Sequence, residues 1–193
     1  RMVSENGNAN LITANNVFAN IDDLHAFMQA ADVLLSQDGV LVIESSYLYK
    51  MIKKMVFDFI YHEHISYLSA TPLEAFMKSI DMHVIHIQEV PTKGGSLRYY
   101  CARLGSEWAV DASVEKIMES EHSEKQLRTV FQQYSESIEN QKMKLRSYLQ
   151  AFDGKKVVGY GASATSTTLI SHFGLHEHLN YLVDDNPGKI DTY

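Results

Sequence analysis

The side chains best suited to acid–base chemistry in this chain lie together at residues 61–67 (YHEHISY). Histidine titrates near neutral pH, and a neighbouring carboxylate can orient the imidazole ring and stabilise its charged form. The segment follows residues 40–44 (VLVIE), a continuous apolar run that predicts an inner strand covered on both faces. Loops at the carboxyl ends of such strands carry the sites of α/β proteins. Residues 61–67 therefore predict a site that moves protons rather than a packing element.

The composition excludes several classes of protein. The chain has 193 residues and a net charge of -7, without a basic run, which argues against binding to the phosphates of nucleic acids. No apolar stretch approaches membrane-spanning length. The single cysteine, Cys101, excludes an internal disulfide framework and a cysteine-cluster zinc site within this chain. We therefore expect a cytoplasmic protein that binds neither nucleic acid nor a membrane.

The first half of the chain predicts the second half of an α/β sheet. Periodicity indicates a strand, a helix, a strand, the histidine-rich loop, a helix and two final strands that pair antiparallel. These elements are expected at residues 10–14, 24–35, 40–44, 71–80, 83–90 and 96–102. Asp22 and Asp23 suit the start of the first helix, where carboxylates meet free amides, and Gln37-Asp38-Gly39 is expected to end it. Tyr61 and His64 share a face only in a turn, so we expect a turn there.

The second half predicts a long helix followed by one βαβ unit. Residues 111–152 contain neither Gly nor Pro, and their apolar positions from Leu127 to Phe152 alternate between spacings of four and three. Such a heptad seam is typical of packing along a neighbouring element or a second copy of the chain. Gly159-Tyr160-Gly161-Ala162 then turns from a strand into a helix, and Asp184-Asp185 ends the next strand at the distance used for ribose recognition. Many such glycine turns serve only close packing of a helix on a strand.

Short motifs occur in a fixed order along nearly the whole chain. They are Ala14-Asn15-Asn16-Val17-Phe18-Ala19, Asp22-Asp23-Leu24, Tyr61-His62-Glu63-His64-x-Ser66-Tyr67, Gly94-Gly95-Ser96-Leu97-Arg98, Gly159-Tyr160-Gly161-Ala162 and Val183-Asp184-Asp185-Asn186-Pro187-x-Lys189. Together they resemble the nucleotide-sugar C-methyltransferases, which use S-adenosylmethionine to methylate a ring carbon of a deoxyhexose. The resemblance implies an α/β fold that combines a class I methyltransferase Rossmann-like sheet, a long helix and a partial Rossmann-like C-terminal domain.

The resemblance also implies a domain organisation. The family has an N-terminal zinc module, a central S-adenosylmethionine domain and a C-terminal domain that helps to hold the nucleotide-sugar. Residues 1–107 match the C-terminal half of the central domain, and residues 108–193 match the linking helix and part of the C-terminal domain. Zinc and the main cofactor loop would then belong to segments that precede this chain. We expect such a fragment to be inactive alone and to bind S-adenosylmethionine weakly or not at all.

The family's chemistry assigns roles to individual residues. A ring carbon becomes a nucleophile when a base removes the proton next to a keto group and donors hold the resulting enolate oxygen. By resemblance His64 is the base, while Glu63 and Tyr61 orient the sugar or bind its oxygens. Asn15 and Asn16 are implied for the cofactor. The residues implied for the nucleotide-linked keto-deoxysugar are Asn16, Asn20, Ser96, Arg98, Gly161, Ala162 and Asp184.

The chain departs from the family pattern at two places. Asn20 stands where relatives often carry a histidine, and an asparagine does not exchange a proton near neutral pH. Thr165-Ser166-Thr167 replaces the Lys-Gly-Asn of many relatives, which leaves the phosphate contacts open.

Three other interpretations stay open at this point. His62, His64, His83 and His86 could supply zinc or iron ligands, but a strand points His83 and His86 to opposite faces, so we expect no metal in this chain. An NAD(P)-dependent oxidoreductase could use the Gly159 turn, although only one βαβ unit is present. A non-catalytic assembly module, or a homo-oligomer of the enzyme, could use the seam at residues 127–152.

Overall fold

A computed structural model describes residues 7–123 and 127–189. Its strands are β1 (Ala9–Asn15), β2 (Leu35–Ser46), β3 (Met82–Val90), β4 (Ser96–Arg103), β5 (Val158–Tyr160) and β6 (Tyr181–Val183). Its α-helices are α1 (Leu24–Leu34), α2 (Leu48–Lys53), α3 (Ala70–Lys78), α4 (Ala112–Ser123), α5 (Leu127–Gln150) and α6 (Ala164–Phe173). In the described stretches, no helix has the length and apolar character needed to cross a membrane.

The strands form the two sheets that the sequence predicts. One sheet has four strands in the order β1-β2-β4-β3, and the other pairs β5 with β6 in parallel. In the first sheet β1 and β2 are parallel, whereas β4 pairs antiparallel with both β2 and β3. The predicted α/β class, the antiparallel final strands and the separate parallel pair are therefore confirmed.

The chain packs as two compact units. The first comprises Arg1–Lys54 and Glu63–Leu127, and the second comprises Met55–His62 and Arg128–Tyr193. Helix α4 belongs to the first unit because Val114 is buried in the core of its sheet. These packing units differ from the division at residues 107 and 108, which stays a prediction about evolutionary domains.

The core of the first unit is built on the central strand β2. Leu41 and Ile43 are completely buried, and residues 41–45 are buried without alternation, as a strand covered on both faces requires. Tyr99 and Leu97 of β4 are also completely buried. The apolar run at residues 40–44 therefore correctly predicted an inner strand, and this strand carries the end of the sheet where the candidate site lies.

The boundary between α1 and β2 corrects one prediction. Asp23 accepts a hydrogen bond from the amide of Ala26 at 2.9 Å, so the predicted helix start is confirmed. The helix ends at Leu34, however, and Gln37-Asp38-Gly39 lies inside β2 instead of ending the helix. A tertiary hydrogen bond favours the strand here, because Trp108 Nε1 donates to the carbonyl of Asp38 at 2.8 Å and holds residues 37–39 extended.

Helix α3 begins close to the predicted Thr71, at Ala70, and carries Pro72 in its first turn. Its free amides are satisfied by a carboxylate from far along the chain. Glu121 of α4 accepts from the amide of Ala70 at 2.6 Å and from the amide of Thr71 at 2.9 Å. This contact attaches α4 to the segment that follows the histidine-rich loop.

The helix predicted along the heptad seam at residues 127–152 is present as α5, Leu127–Gln150. Helix α4 precedes it in the same stretch without Gly or Pro, and residues 124–126 lie outside the described part of the chain. In the second unit, Ile138 of α5 is buried against Phe173 and Leu175. The middle of the heptad seam thus packs within this unit, while Phe131 and Tyr148 on the same seam are exposed. Oligomerisation through residues 127–152 stays a prediction.

Candidate active site

A polar cleft lies at the carboxyl ends of β1 and β2 in the first unit. It is lined by Asn16, Ala19, Asn20, Ser45, Ser46, Met51, His64, Ser66, Tyr67 and Lys93. The space between these residues is narrow and open in part to solvent, and about 10 Å³ of it can hold the centre of a water-sized molecule. Three residues predicted for the site, Asn16, Asn20 and His64, are therefore brought together by the fold.

The end of β1 places Asn16 and Asn20 at the cleft. Asn16 has a φ of 55°, a left-handed conformation that asparagine tolerates better than most residues. Its amide donates to the carbonyl of Glu44 on β2 at 2.8 Å, which ties the turn to the central strand. The following 3-10 turn, Phe18–Asn20, is anchored by Phe18, whose side chain is completely buried. A turn with this anchor exposes Asn20 to the cleft.

The histidine-rich loop is attached to the same turn. The amides of Ile65 and Ser66 both donate to the carbonyl of Ala19, at 3.1 and 2.9 Å. His62 and Glu63 form a turn before them, so the predicted turn in this motif is confirmed. Two backbone hydrogen bonds thus hold the two residues that follow His64 against the 3-10 turn after β1.

His64 is half-buried where it lines the cleft. Its imidazole contacts the ring of Tyr67 edge to face, with the ring centres 6.5 Å apart and the planes at 87°. Tyr67 lines the same cleft, so an imidazole and a phenol border one polar space. Such a pair can accept a proton and donate a hydrogen bond to the same small molecule.

The other members of the motif are placed differently. Glu63 is exposed and does not line the cleft. The division between the two compact units falls between His62 and Glu63, so Tyr61 and His62 belong to the second unit. Their rings contact each other with centres 6.1 Å apart. The roles assigned to Glu63 and Tyr61 stay predictions.

Arg98 is engaged by protein groups next to the cleft. Its Nε and Nη2 atoms donate to Oε2 of Glu44 at 3.0 and 2.7 Å, and its Nη1 atom donates to Gln88 at 3.2 Å. The other oxygen of Glu44 accepts from the hydroxyl of Thr92 at 3.1 Å. The neighbouring Ser96 is buried and donates to the carbonyl of Thr92 at 3.1 Å. Neither Arg98 nor Ser96 lines the cleft, and both organise the loop beside it.

Several cleft residues were missed by the sequence analysis. Ser45 and Ser46 continue β2 directly beyond the apolar run, so the rule that sites form at the carboxyl ends of strands would have found them. Lys93 precedes the Gly94-Gly95-Ser96 motif but has no periodic or compositional signal of its own. Asn15, predicted to contact the cofactor, is exposed at the end of β1 and does not line the cleft.

The glycine turn of the second unit is held by its own acidic residue. Gly161 has a φ of 101°, and its amide donates to the carbonyl of Val183 at 2.7 Å. Asp184 accepts from the amide of Ala162 at 2.8 Å and from the ammonium group of Lys189 at 2.6 Å. The roles of Gly161, Ala162 and Asp184 in binding a nucleotide stay predictions, because these contacts join the turn to the following strand.

The charge of Asp184 is strongly stabilised. The Lys189 ammonium group is the main cause, and the amides of Ala162 and Asn186 add to it, so that the pKa of Asp184 falls to about 2. A carboxylate that accepts several hydrogen bonds favours its charged form. Asp184 therefore stays ionised throughout the physiological range of pH.

The histidines of this chain could also be metal ligands. In residues 7–123 and 127–189, no group of three or more His, Cys, Asp or Glu side chains is placed to hold a metal ion. The Nδ1 atom of His86 instead lies 3.1 Å from Asp111 and 3.0 Å from the hydroxyl of Ser113. Asp111 and Ser113 lie at the start of α4 and His86 lies in β3, so these contacts connect the helix to the strand.

The sheet with a polar cleft at the carboxyl ends of its strands is consistent with a methyltransferase domain, and a family model described as a methyltransferase domain matches residues 3–87. A second model, for the C-methyltransferase C-terminal domain, matches residues 91–193, which is more than half of the chain. The chain therefore belongs to the C-methyltransferase family.

One relative makes the comparison more specific. The chain is 28% identical over 187 residues to C-methyltransferase NovU of Streptomyces niveus, and the match covers 95% of this chain and 44% of NovU. The chain thus spans less than half the length of that relative.

Proposed function

We propose that this chain is part of an enzyme that transfers a methyl group from S-adenosylmethionine to a ring carbon of a nucleotide-linked deoxysugar, next to a keto group. The observation that supports it best is the position of His64 beside Tyr67 in a polar cleft of a C-methyltransferase chain. Membership of this family favours methyl transfer over the oxidoreductase and assembly-module alternatives.

The carbon acceptor explains why the cleft needs a base. A carbon bound to hydrogen is not a nucleophile, whereas the enolate formed beside a keto group is. His64 accepts the proton from that carbon in our proposal, and the electron pair of the C–H bond moves toward the keto oxygen. A positioned base contributes on the order of a hundredfold to ten-thousandfold in rate.

Polar groups around His64 suit a sugar. Asn16, Asn20 and the hydroxyls of Ser45 and Ser66 supply donors and acceptors on several sides of the cleft. Asn20 can bind a sugar oxygen but does not exchange a proton near neutral pH, so in our proposal it orients the ring while His64 alone acts as base. The roles of Glu63 and Tyr61 toward the sugar rest on the resemblance alone, because neither residue lines the cleft.

The same set of donors fits S-adenosylmethionine. S-adenosylmethionine carries hydroxyl, amino and carboxylate groups. The side-chain amide of Asn16 and the hydroxyl of Ser45 provide matching hydrogen-bonding partners at the ends of β1 and β2. When bound, the cofactor supplies an electrophilic methyl group on a positively charged sulfur. Asn16 and Ser45, together with Asn15, would hold it. Asn16 would also reach the sugar, which Asn20, His64 and Ser66 would face.

The second unit would hold the nucleotide. Its glycine turn has a left-handed Gly161, and α6 begins after Ser163, whose hydroxyl caps the helix by accepting from the amide of Ser166 at 3.2 Å. Asp184 is the acidic residue at the end of β6. We assign Gly161, Ala162 and Asp184 to this role by the family's pattern, with Thr165-Ser166-Thr167 in place of the usual loop.

The proposal is tested with the intact protein that carries this chain. Nucleotide-linked 4-keto and 3-keto deoxysugars are incubated with S-adenosylmethionine that carries a deuterated methyl group, and products are identified by mass spectrometry and NMR. We expect the label on a ring carbon next to the keto group. Label on an oxygen or nitrogen of the product, or no transfer to any keto-sugar, would refute the proposal.

A further inference from the structure

Lys93 lines the same cleft as His64 and was not predicted from the sequence. It lies in the 3-10 turn Thr92–Gly94, between β3 and β4. The lining described above includes no acidic side chain, so Lys93 and His64 are its ionisable basic groups. An ammonium group in such a cleft favours negative charge nearby.

The backbone of Lys93 is held in an uncommon conformation. Its φ of 49° is left-handed, although lysine has no local means of stabilising that geometry. Neighbouring contacts impose it, since the amide of Gly95 and the hydroxyl of Ser96 both donate to the carbonyl of Thr92, at 2.8 and 3.1 Å. Left-handed non-glycine residues cluster at functional sites, where the surrounding structure determines them.

The acidic residues around this loop are already paired. Glu44 binds Arg98 and the hydroxyl of Thr92, and Glu89 forms an ion pair with Lys50 at 2.9 Å. These contacts hold both carboxylates on other partners, and the exposed side chain of Lys93 borders the cleft. They also fix the loop, which reduces the reorganisation needed when charge develops in a reaction.

We propose that Lys93 is a further catalytic residue, whose ammonium group stabilises the enolate oxygen formed when His64 removes the neighbouring proton. This inference rests on the proposed function. In the first step, the C–H pair becomes the C=C bond, the C=O π pair moves to oxygen, and Lys93 donates a hydrogen bond to that oxygen. In the second step, a bound methyl donor would give its methyl group to the enolate carbon, its sulfur would keep the electron pair of the broken S–CH₃ bond, and the C=O bond would re-form.

The test measures exchange of the sugar proton with deuterium from solvent, in the intact protein and without methyl donor. Lys93→Met keeps the length of the side chain and removes the charge. We expect it to lower the maximal exchange rate roughly a hundredfold, the scale found when one donor to an oxyanion is removed. The KM for the sugar should change less than about threefold, because the charge acts mainly on the transition state. Lys93→Arg should recover part of the rate.

The matched control is Lys116→Met, which removes an exposed lysine from α4 outside the cleft and should leave exchange unchanged. A raised KM with an unchanged maximal rate would overturn the inference and assign Lys93 to ground-state binding, for example of a phosphate. An unchanged rate and KM would also overturn it. If the unmodified protein neither exchanges this proton nor transfers methyl to carbon, the proposed function itself fails, and the two failures are thereby distinguished.

Discussion

The buried carboxylate of Glu44 accepts two hydrogen bonds from the guanidinium group of Arg98, through Nε at 3.0 Å and Nη2 at 2.7 Å. Glu44 is the last residue of the apolar run in β2, and Arg98 follows the double-glycine motif. The pair joins the neighbouring strands β2 and β4, and the other oxygen of Glu44 binds Thr92 in the loop that carries Lys93. The structure gives Arg98 an organising role beside the cleft, whereas the resemblance assigns it to the substrate.

Replacing Glu44 by Gln should destabilise the protein, because Arg98 and Thr92 lose a charged acceptor at a buried position. Hydrogen bonds to charged groups contribute about 1.5–3 kcal/mol, and partial exposure of the arginine reduces this, so we expect a loss of roughly 1–2 kcal/mol. Urea unfolding measures it. The control is Glu89→Gln, which removes a surface ion pair with Lys50 and should cost less than about 1 kcal/mol. Equal losses would contradict the organising role of Glu44.

Glu121→Ala should cost about 2–4 kcal/mol, because the amides of Ala70 and Thr71 lose their buried acceptor. The matched control is Glu119→Ala on the same helix, where the side chain is exposed and the change should stay within about 0.5 kcal/mol. Both variants are compared by denaturant unfolding. A loss at Glu121 no larger than at Glu119 would show that this carboxylate does not hold the start of α3.

Gly95→Ala should destabilise the Lys93 loop. Gly95 has a φ of 133°, and an added Cβ would lie 3.0 Å from the Cβ of Lys50. Backbone strain of this kind costs about 1–3 kcal/mol. Gly105 is the control, since its φ is 83° but an added Cβ would meet nothing within 4 Å. The unfolding free energy should fall more for Gly95→Ala than for Gly105→Ala, and the opposite order would refute the crowding argument.

The pKa of Asp184 predicts an acid-sensitive contact in the second unit. Its value of about 2 lies below the ordinary value near 4, so the folded state favours the carboxylate. The resulting stabilisation is fully present above the ordinary pKa and is lost as the pH falls from about 4 toward 2. Carbon-detected NMR of the Asp184 carboxyl should give a midpoint near 2, and Lys189→Met should raise it. A midpoint near 4 in the unmodified protein would contradict the contact with Lys189.

Strong local signals predicted much of the fold. The apolar run at residues 40–44 indicated an inner strand, and Asp23 indicated the start of α1, because burial on two faces and amide capping leave direct traces in the sequence. The extension of β2 back to Leu35 left no such trace, since it depends on a hydrogen bond from Trp108, 70 residues away from Asp38. Contacts between distant residues of this kind override local turn signals.

The candidate site was predictable to the extent that its residues continue strand ends. Asn16 follows β1 directly, and His64 belongs to a motif rich in titratable groups. Lys93 was not predicted as a site residue, because a lysine in a loop resembles any solvated surface lysine until the conformation of the loop is known. The ion pair between Arg98 and Glu44 was also not predicted, because the antiparallel register that brings the two residues together is set by β2 and β4 as a whole.

The central claim is that His64 is the base, and its most direct test is proton exchange without methyl transfer. The intact protein is incubated in D₂O with the keto-sugar and no methyl donor, and incorporation of deuterium at the ring carbon is followed by NMR. His64→Asn should slow exchange at least about a hundredfold, while His62→Asn should change it far less. Exchange by His64→Asn at the unmodified rate would assign the base to another residue and refute the mechanism.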